Sequence, residues 1–264
     1  MSATYPGRVP FTGSHPAAVL PLLGIGLAPS ALIVGSMVPD LPYFFPMPVS
    51  AEVTHSAIGV VSVDIVLALL AYLLWHLLLA PAAFTVAPDS VRRRLPSGAA
   101  IGLRHRFGTV GAVLLVGVAC CVGAATHVVW DSFTHEGRWG SEHVPWLAET
   151  HWGLLGETWA QHVSTLVGLA ALAWWLARGW RRTTPSLDVA PRPEHPRDAR
   201  ARVLGASAIA LAGAAGFVHG ALSPAGGYAF IADSRVFSAI VDAITFASVA
   251  GVVVAVVVLA VRRA

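Results

Sequence analysis

A histidine and an aspartate four residues apart, His127 and Asp131, close a long apolar segment of the chain. Residues at this spacing lie one turn apart on the same face of an α-helix, so the two side chains can bind one metal ion together. An ionisable residue near the end of an apolar helix is costly unless it is paired or faces water. The pair therefore predicts either a metal site or a hydrogen bond, and the spacing alone leaves both open.

Other residues that suit a metal site lie near the same predicted membrane surface: His15, Asp40, His55 and His135. Neutral imidazole and carboxylate are common ligands of zinc. Asp40 lies between two prolines, Pro39 and Pro42, which stiffen its backbone and suit a fixed ligand, although an aspartate here would also serve as a helix cap. His55 equally fits an interfacial side chain at the start of a membrane span.

The composition is that of a membrane protein. Of the 264 residues, 56% are hydrophobic and 12% are charged, against about 25% charged in soluble domains. A membrane-spanning helix needs about 20 apolar residues, and five segments qualify: 57–80, 108–130, 160–178, 203–222 and 236–261. The sequence therefore predicts an all-α integral membrane protein with five transmembrane helices.

The charges predict how these helices are oriented. Fourteen of the seventeen basic residues, all arginines, fall in the stretches 81–106 and 178–202 and at the C-terminus. The stretch 131–159 is instead acidic and, together with Trp130 before it, carries five tryptophans. Arginine-rich loops are cytoplasmic, and tryptophan collects at the membrane interface. We therefore expect a plasma (inner) membrane protein with a cytoplasmic C-terminus, with the lipid bilayer and not nucleic acid as its partner.

A further apolar segment, 16–38, is interrupted by Pro21 and Pro29. Proline breaks or kinks a helix, so two alternatives follow. The segment either crosses the membrane as a sixth span, which places His15 and Asp40 on opposite sides, or forms a re-entrant helical hairpin, which brings them to one surface. We favour the hairpin.

Three regions follow from this pattern: a motif-bearing membrane domain with a metal site at 1–180, a disordered cytoplasmic loop at 181–202 and a C-terminal two-helix transmembrane hairpin at 203–264.

Polar residues inside the spans are expected to stabilise contacts between helices. Asp64 lies about 13 Å along the helix from His55, too far to share its metal, and we expect it to bond a neighbouring helix. His219 and Asp242 are expected to pair across the last two spans.

Several motifs together resemble a known group of proteins. They are Pro10-Phe11-Thr12-Gly13-Ser14-His15-Pro16, Gly35-Ser36-Met37-Val38-Pro39-Asp40-Leu41-Pro42, Thr54-His55-Ser56 and Thr126-His127-Val128-Val129-Trp130-Asp131-Ser132-Phe133-Thr134-His135. The series, over roughly residues 9–170, resembles an uncharacterised bacterial family of small polytopic membrane proteins. That family is similar to the YdjM-type membrane-bound metal-dependent hydrolases.

The order of these residues also resembles, more distantly, the zinc-dependent phospholipase C arrangement. The resemblance implies that His15, Asp40, His55, His127 and Asp131 are metal ligands, that Asp131 bridges two ions and that His135 belongs to a neighbouring ion. The phospholipase pattern continues with a His-x-x-x-Glu pair, which this chain lacks after His135. One or two divalent ions, expected to be zinc, are therefore predicted instead of three.

Such a site supports metal-assisted hydrolysis, in which the ion lowers the pKa of bound water to about 7. We expect an amphiphilic phosphoester, such as a lipid head group, as the substrate, and Asp40 or Glu136 as the base. The alternatives are a non-catalytic membrane protein (a transporter or an assembly partner) with a structural metal or proton relay, and a relative that has lost turnover. No nucleotide-binding motif is present, and protein partners are not indicated by the sequence.

Overall fold

The computed structural model describes residues 12–95, 107–186, 196–223 and 234–263, and these are mostly helical. The helices are α1 Pro29–Gly35, α2 Leu41–Phe44, α3 Ala51–Thr54, α4 Ala57–Val61, α5 Val63–Leu74, α6 Ala80–Val86, α7 Asp89–Arg92, α8 Val110–Thr134, α9 Trp139–His143, α10 Pro145–Ala148, α11 Gly156–Arg182, α12 Pro196–Leu222 and α13 Ser234–Arg263. Two 3₁₀ helices, Thr12–Leu22 and Val38–Asp40, a π-helical segment, Trp75–Leu79, and the two-stranded hairpin of β1 Thr150–His151 and β2 Leu154–Leu155 complete the described part. The predicted all-α class is confirmed.

Five helical segments are long and apolar enough to cross a membrane: Val63–Val86, Val110–His143, Gly156–Arg182, Pro196–Leu222 and Arg235–Val261. The prediction of five membrane-spanning helices is thereby confirmed, although the helices begin and end at other residues than predicted. The first begins at Val63 and not at 57, because Ser62 has a non-helical backbone (φ −130°, ψ −86°) that ends α4.

The N-terminal segment is a hairpin and not a sixth span. The 3₁₀ helix Thr12–Leu22 is followed by a turn in which Gly24 and Gly26 have φ of 103° and 91°, a conformation that favours glycine. Helix α1 then returns toward the start of the segment. The hydroxyl of Thr12 donates a hydrogen bond to Asp40 over 2.5 Å, so the two ends of the segment meet.

The chain divides into two compact units, residues 1–72 with 109–178 and residues 73–108 with 179–264. The described residues 73–95 therefore belong to the same unit as α12 and α13, and the division predicted from the sequence stays a prediction. Of the loop predicted as disordered, 181–202, residues 196–202 form the start of α12, and residues 187–195 lie outside the described part.

In the first unit, α1 packs closely against α8 at two glycines. A Cβ atom on Gly35 would collide with the carbonyl oxygen of Cys120, and one on Gly123 would collide with that of Leu32. These glycines let the two backbones approach, which is a common device between membrane helices. The approach brings the end of α1 beside the polar end of α8.

In the second unit, α12 and α13 form a similarly close helix pair. Cβ atoms on Gly216 and Gly220 would collide with the carbonyl oxygens of Asp242 and Ser238. Near this contact, His219 Nδ1 and Asp242 Oδ2 lie 2.7 Å apart, so the predicted pairing of these two side chains is confirmed.

Candidate metal centre

Three separate elements supply the polar residues at the centre of the first unit. His127 and Asp131 lie one turn apart on α8, which begins where the Thr109 hydroxyl accepts a hydrogen bond from the amide of Ala112. Asp40 ends the 3₁₀ helix Val38–Asp40, and His55 follows α3. The two short elements are joined because the Thr54 hydroxyl donates to the carbonyl oxygen of Pro39 over 2.7 Å.

These four side chains converge on one point. His55 Nε2 lies 3.3 Å from Asp40 Oδ1 and 3.3 Å from Asp131 Oδ2, and His127 Nε2 lies 3.3 Å from the same two oxygens. The two Nε2 atoms are also 3.3 Å apart. Five of the six separations among these atoms are thus 3.3 Å, and the sixth, between the two carboxylate oxygens, is within 4.8 Å. In a regular tetrahedron, edges of 3.3 Å correspond to a centre about 2.0 Å from each atom, the distance of zinc from imidazole nitrogen and carboxylate oxygen.

The hydrogen bonds of the imidazole rings fix which nitrogen faces this centre. Nδ1 of His127 lies 2.8 Å from the carbonyl oxygen of Ser36, and Nδ1 of His55 lies 2.8 Å from that of Ala51. A carbonyl oxygen only accepts, so each Nδ1 donates its hydrogen and each Nε2 presents a lone pair. Metal binding requires both rings to be neutral, and two nitrogen lone pairs and two carboxylate oxygens then meet without a donor among them, an arrangement that a cation stabilises. Burial lowers the pKa of His55, but Asp131 and Asp40 outweigh it and raise this pKa, so without an ion a proton on the imidazole balances the carboxylates instead.

The centre is shielded from solvent. Asp40 and His127 have no exposed surface, and Asp131 and His55 are 3% and 5% exposed. Buried charge must be compensated. Burial alone raises the pKa of Asp40, but the neighbouring imidazoles of His127 and His55 outweigh it and hold the pKa below its ordinary value. Asp40 is therefore a carboxylate, and the hydrogen bond that Thr12 donates to Oδ2 leaves Oδ1 facing the centre.

Two further predicted ligands flank the other oxygen of Asp131. His15, fully buried, stacks on the ring of His127 at 3.8 Å, and its Nε2 lies 3.5 Å from Asp131 Oδ1. His135 Nδ1 lies 3.6 Å from Oδ1 and 3.2 Å from the backbone oxygen of Asp131. Within the described residues, neither His15 nitrogen nor Asp131 Oδ1 has a hydrogen-bond partner. Burial, together with neighbouring His127, lowers the pKa of His15 to about 4, so this ring is neutral.

Other polar residues named from the sequence lie outside the four-residue cluster. Glu136, predicted as a base, is exposed. His143 and His151 stack on Trp139 and Trp146, at 5.0 and 4.5 Å between ring centroids, and each contacts a backbone carbonyl oxygen. His143 and His151 therefore pack against tryptophans and do not belong to the four-residue cluster.

The expectation that Asp64 bonds a neighbouring helix is wrong for the part of the chain that the structure describes. The side chain is fully buried, and neither of its oxygens has a hydrogen-bond partner there. Sequence reasoning also missed the contacts of Thr12 and Arg138 with the cluster residues. Thr12 lies 28 residues from Asp40, and Arg138 lies 83 residues from His55, so only the folded chain reveals the contacts.

The fold and this centre define a class: a multi-pass, all-α membrane protein with a buried cluster of two histidines and two aspartates that could bind a metal ion. The chain belongs to the family described as a domain of unknown function (DUF4184), which matches residues 9–261. No curated protein and no solved structure matches the chain. The expected membership of an uncharacterised family is confirmed, while the similarity to YdjM-type hydrolases stays a prediction.

Proposed function

We propose that this protein is a zinc-dependent hydrolase of the plasma membrane that acts at the extracytoplasmic face on a phosphoester such as a lipid head group. Its arginine-rich segments and C-terminus would then be cytoplasmic. The donor set supports zinc, because two imidazole nitrogens that each lie 3.3 Å from two carboxylate oxygens are suited to that ion.

The observation that carries hydrolysis is the second oxygen of Asp131. Its Oδ2 faces the four-residue cluster, whereas its Oδ1 lies 3.5 Å from Nε2 of His15 and 3.6 Å from Nδ1 of His135. Asp131 Oδ1 and Nε2 of His15 form an incomplete ligand set, to which His135 contributes only if its Nδ1 gives up the contact with the backbone oxygen of Asp131. Hydrolytic metal sites keep positions open for water and substrate. We infer a second ion at Oδ1, bridged by Asp131 to the first.

The two predicted bases differ in their surroundings. Both oxygens of Asp40 are engaged, one at the cluster and one by the Thr12 hydroxyl, which suits a ligand and not a proton acceptor. Glu136 is exposed and adjoins His135 in the sequence. We therefore assign Asp40 to metal binding and propose Glu136 as the base that activates water.

One observation favours a second candidate function. Four protein ligands in a buried, tetrahedral arrangement are typical of structural zinc sites, since catalytic sites usually use three. A non-catalytic membrane protein, a transporter or an assembly partner, would use the ion to hold the hairpin, α3 and α8 together. In that case the polar groups around Asp131 Oδ1 serve packing alone.

Metal content and turnover separate the two functions. We expect detergent-purified protein to contain zinc, and His127→Ala and Asp131→Ala to lose most of it, while His219→Ala in the other unit retains it. Hydrolysis of a panel of phospholipids and soluble phosphoesters should follow the metal and decrease at least tenfold in Glu136→Gln. Full metal content without hydrolysis of any panel member would refute the enzyme and leave the structural role.

A further inference from the structure

Arg138 adjoins the metal centre through a backbone contact. It lies between α8 and α9, and its Nη1 donates a hydrogen bond to the carbonyl oxygen of His55 over 3.4 Å. Ser141 holds the Arg138 backbone in place, because its hydroxyl accepts from the Arg138 amide at 3.1 Å and donates to the carbonyl oxygen of His135 at 2.6 Å. The Arg138 backbone is therefore held in place, and one hydrogen bond places its guanidinium beside the backbone of the ligand residue His55.

The charge of Arg138 is not neutralised by the described part of the chain. No carboxylate there forms an ion pair with it, and the bond to His55 is the single hydrogen bond of its side chain within those residues. A guanidinium has five N–H donors, so most remain available although the residue is half-buried. Residues 107–177 contain no other arginine and no lysine. A half-buried guanidinium that has no ion-pair partner in the described residues and lies beside a metal site is suited to bind an anion.

The charges at the centre lead to the same conclusion. The two divalent ions proposed above carry four positive charges against three negative charges on Asp40, Asp131 and Glu136, so Arg138 adds to a site that is already net positive. Guanidinium groups bind phosphate oxygens with two parallel hydrogen bonds, which lysine cannot reproduce. We propose that Arg138 is the anion-recognition residue of this site and binds the phosphate oxygens of the substrate. This inference rests on the proposed function and specifies its substrate class as an anionic phosphoester.

The test measures the binding of inorganic phosphate to zinc-loaded, detergent-purified protein by titration calorimetry. We expect Arg138→Gln to keep its zinc and to bind phosphate about tenfold or more weakly, because a charged hydrogen bond is lost. The phosphate affinity of Arg138→Lys should lie between those of the wild type and of Arg138→Gln. Arg178→Gln is the matched control, since Arg178 belongs to the same unit but is exposed and lies against Trp174.

The outcomes separate this inference from the proposed function. Phosphate binding by Arg138→Gln that equals the wild-type value, or zinc-loaded wild-type protein that binds no phosphate, overturns the role of Arg138 while the metal site stands. Wild-type protein without zinc overturns the proposed function itself. If Arg138→Gln fails to fold, Arg138→Lys decides: unchanged phosphate affinity in this charge-conserving variant contradicts recognition by the guanidinium.

Discussion

Substituting alanine for Gly123 should weaken metal binding without touching a ligand. A Cβ atom on Gly123 points at the carbonyl oxygen of Leu32 and lies 2.8 Å from the amide nitrogen of Ser36, inside the 3.0 Å limit that real Cβ contacts respect. Both partners are backbone atoms and cannot rotate away. Helix α1 must therefore separate from α8 by about 1 Å to restore van der Waals contact.

This separation acts directly on the centre. The bond from His127 Nδ1 to the carbonyl oxygen of Ser36 is 2.8 Å, and about 1 Å of movement takes it beyond hydrogen-bond range. Asp40 follows Ser36 by four residues, so its 3.3 Å approach to His127 Nε2 opens as well. Loss of an outer-shell partner costs 10- to 100-fold in metal affinity, and overpacking costs about 1–3 kcal/mol of stability.

Competition with a chromophoric zinc chelator measures the affinity, and thermal melting in detergent measures the stability. Gly117→Ala is the matched control, because it lies on the same helix and nothing lies within 4 Å of an added Cβ atom. Zinc affinity of Gly123→Ala within twofold of the control would show that the close approach of α1 and α8 does not position the ligands.

Three further predictions test other contacts. Thr12→Val removes the hydrogen bond to Asp40 and should lower zinc affinity about tenfold, whereas Thr12→Ser should restore it; equal affinities of the two variants would exclude a role for the hydroxyl. Burial lowers the pKa of His15 from 6.5 to about 4. Between these pH values the His15 ring is protonated in the unfolded chain but neutral in the folded protein, so the free energy of unfolding falls as the pH decreases toward 4. Melting temperatures of metal-free protein should therefore decline over this range and decline less in His15→Asn; parallel curves would contradict the assignment. Gly216→Ala forces a Cβ atom against the backbone of Asp242 and should destabilise the protein by about 1–3 kcal/mol with unchanged zinc content; loss of zinc would show that the two units do not act separately.

The sequence predicted the membrane class and the shared helix face of His127 and Asp131, because both depend on local patterns. Apolar runs of about 20 residues are visible directly, and the helical spacing of His127 and Asp131 places them on one face. The prolines at 21 and 29 favoured the hairpin, which the structure contains. In each case the residues of one short segment determine its local structure.

What the sequence could not supply depends on contacts between distant segments. Neither the 3.3 Å separations nor the donation by Thr12 has a local signature, since the partners come from three segments. His15 was expected as a ligand equal to the others, but it stacks on His127 and faces the second oxygen of Asp131. The Arg138 contact was missed because a lone arginine in a loop has no distinguishing pattern.

The coordination of the bound ion tests the central claim most directly. X-ray absorption at the zinc edge of detergent-purified protein should reveal a first shell of four nitrogen and oxygen atoms about 2.0 Å from the metal, with the multiple scattering of two imidazole rings, and His55→Ala should remove part of that scattering. A shell that contains sulfur, a six-coordinate oxygen shell without imidazole, or protein that binds no zinc would contradict a shared tetrahedral site of Asp40, His55, His127 and Asp131.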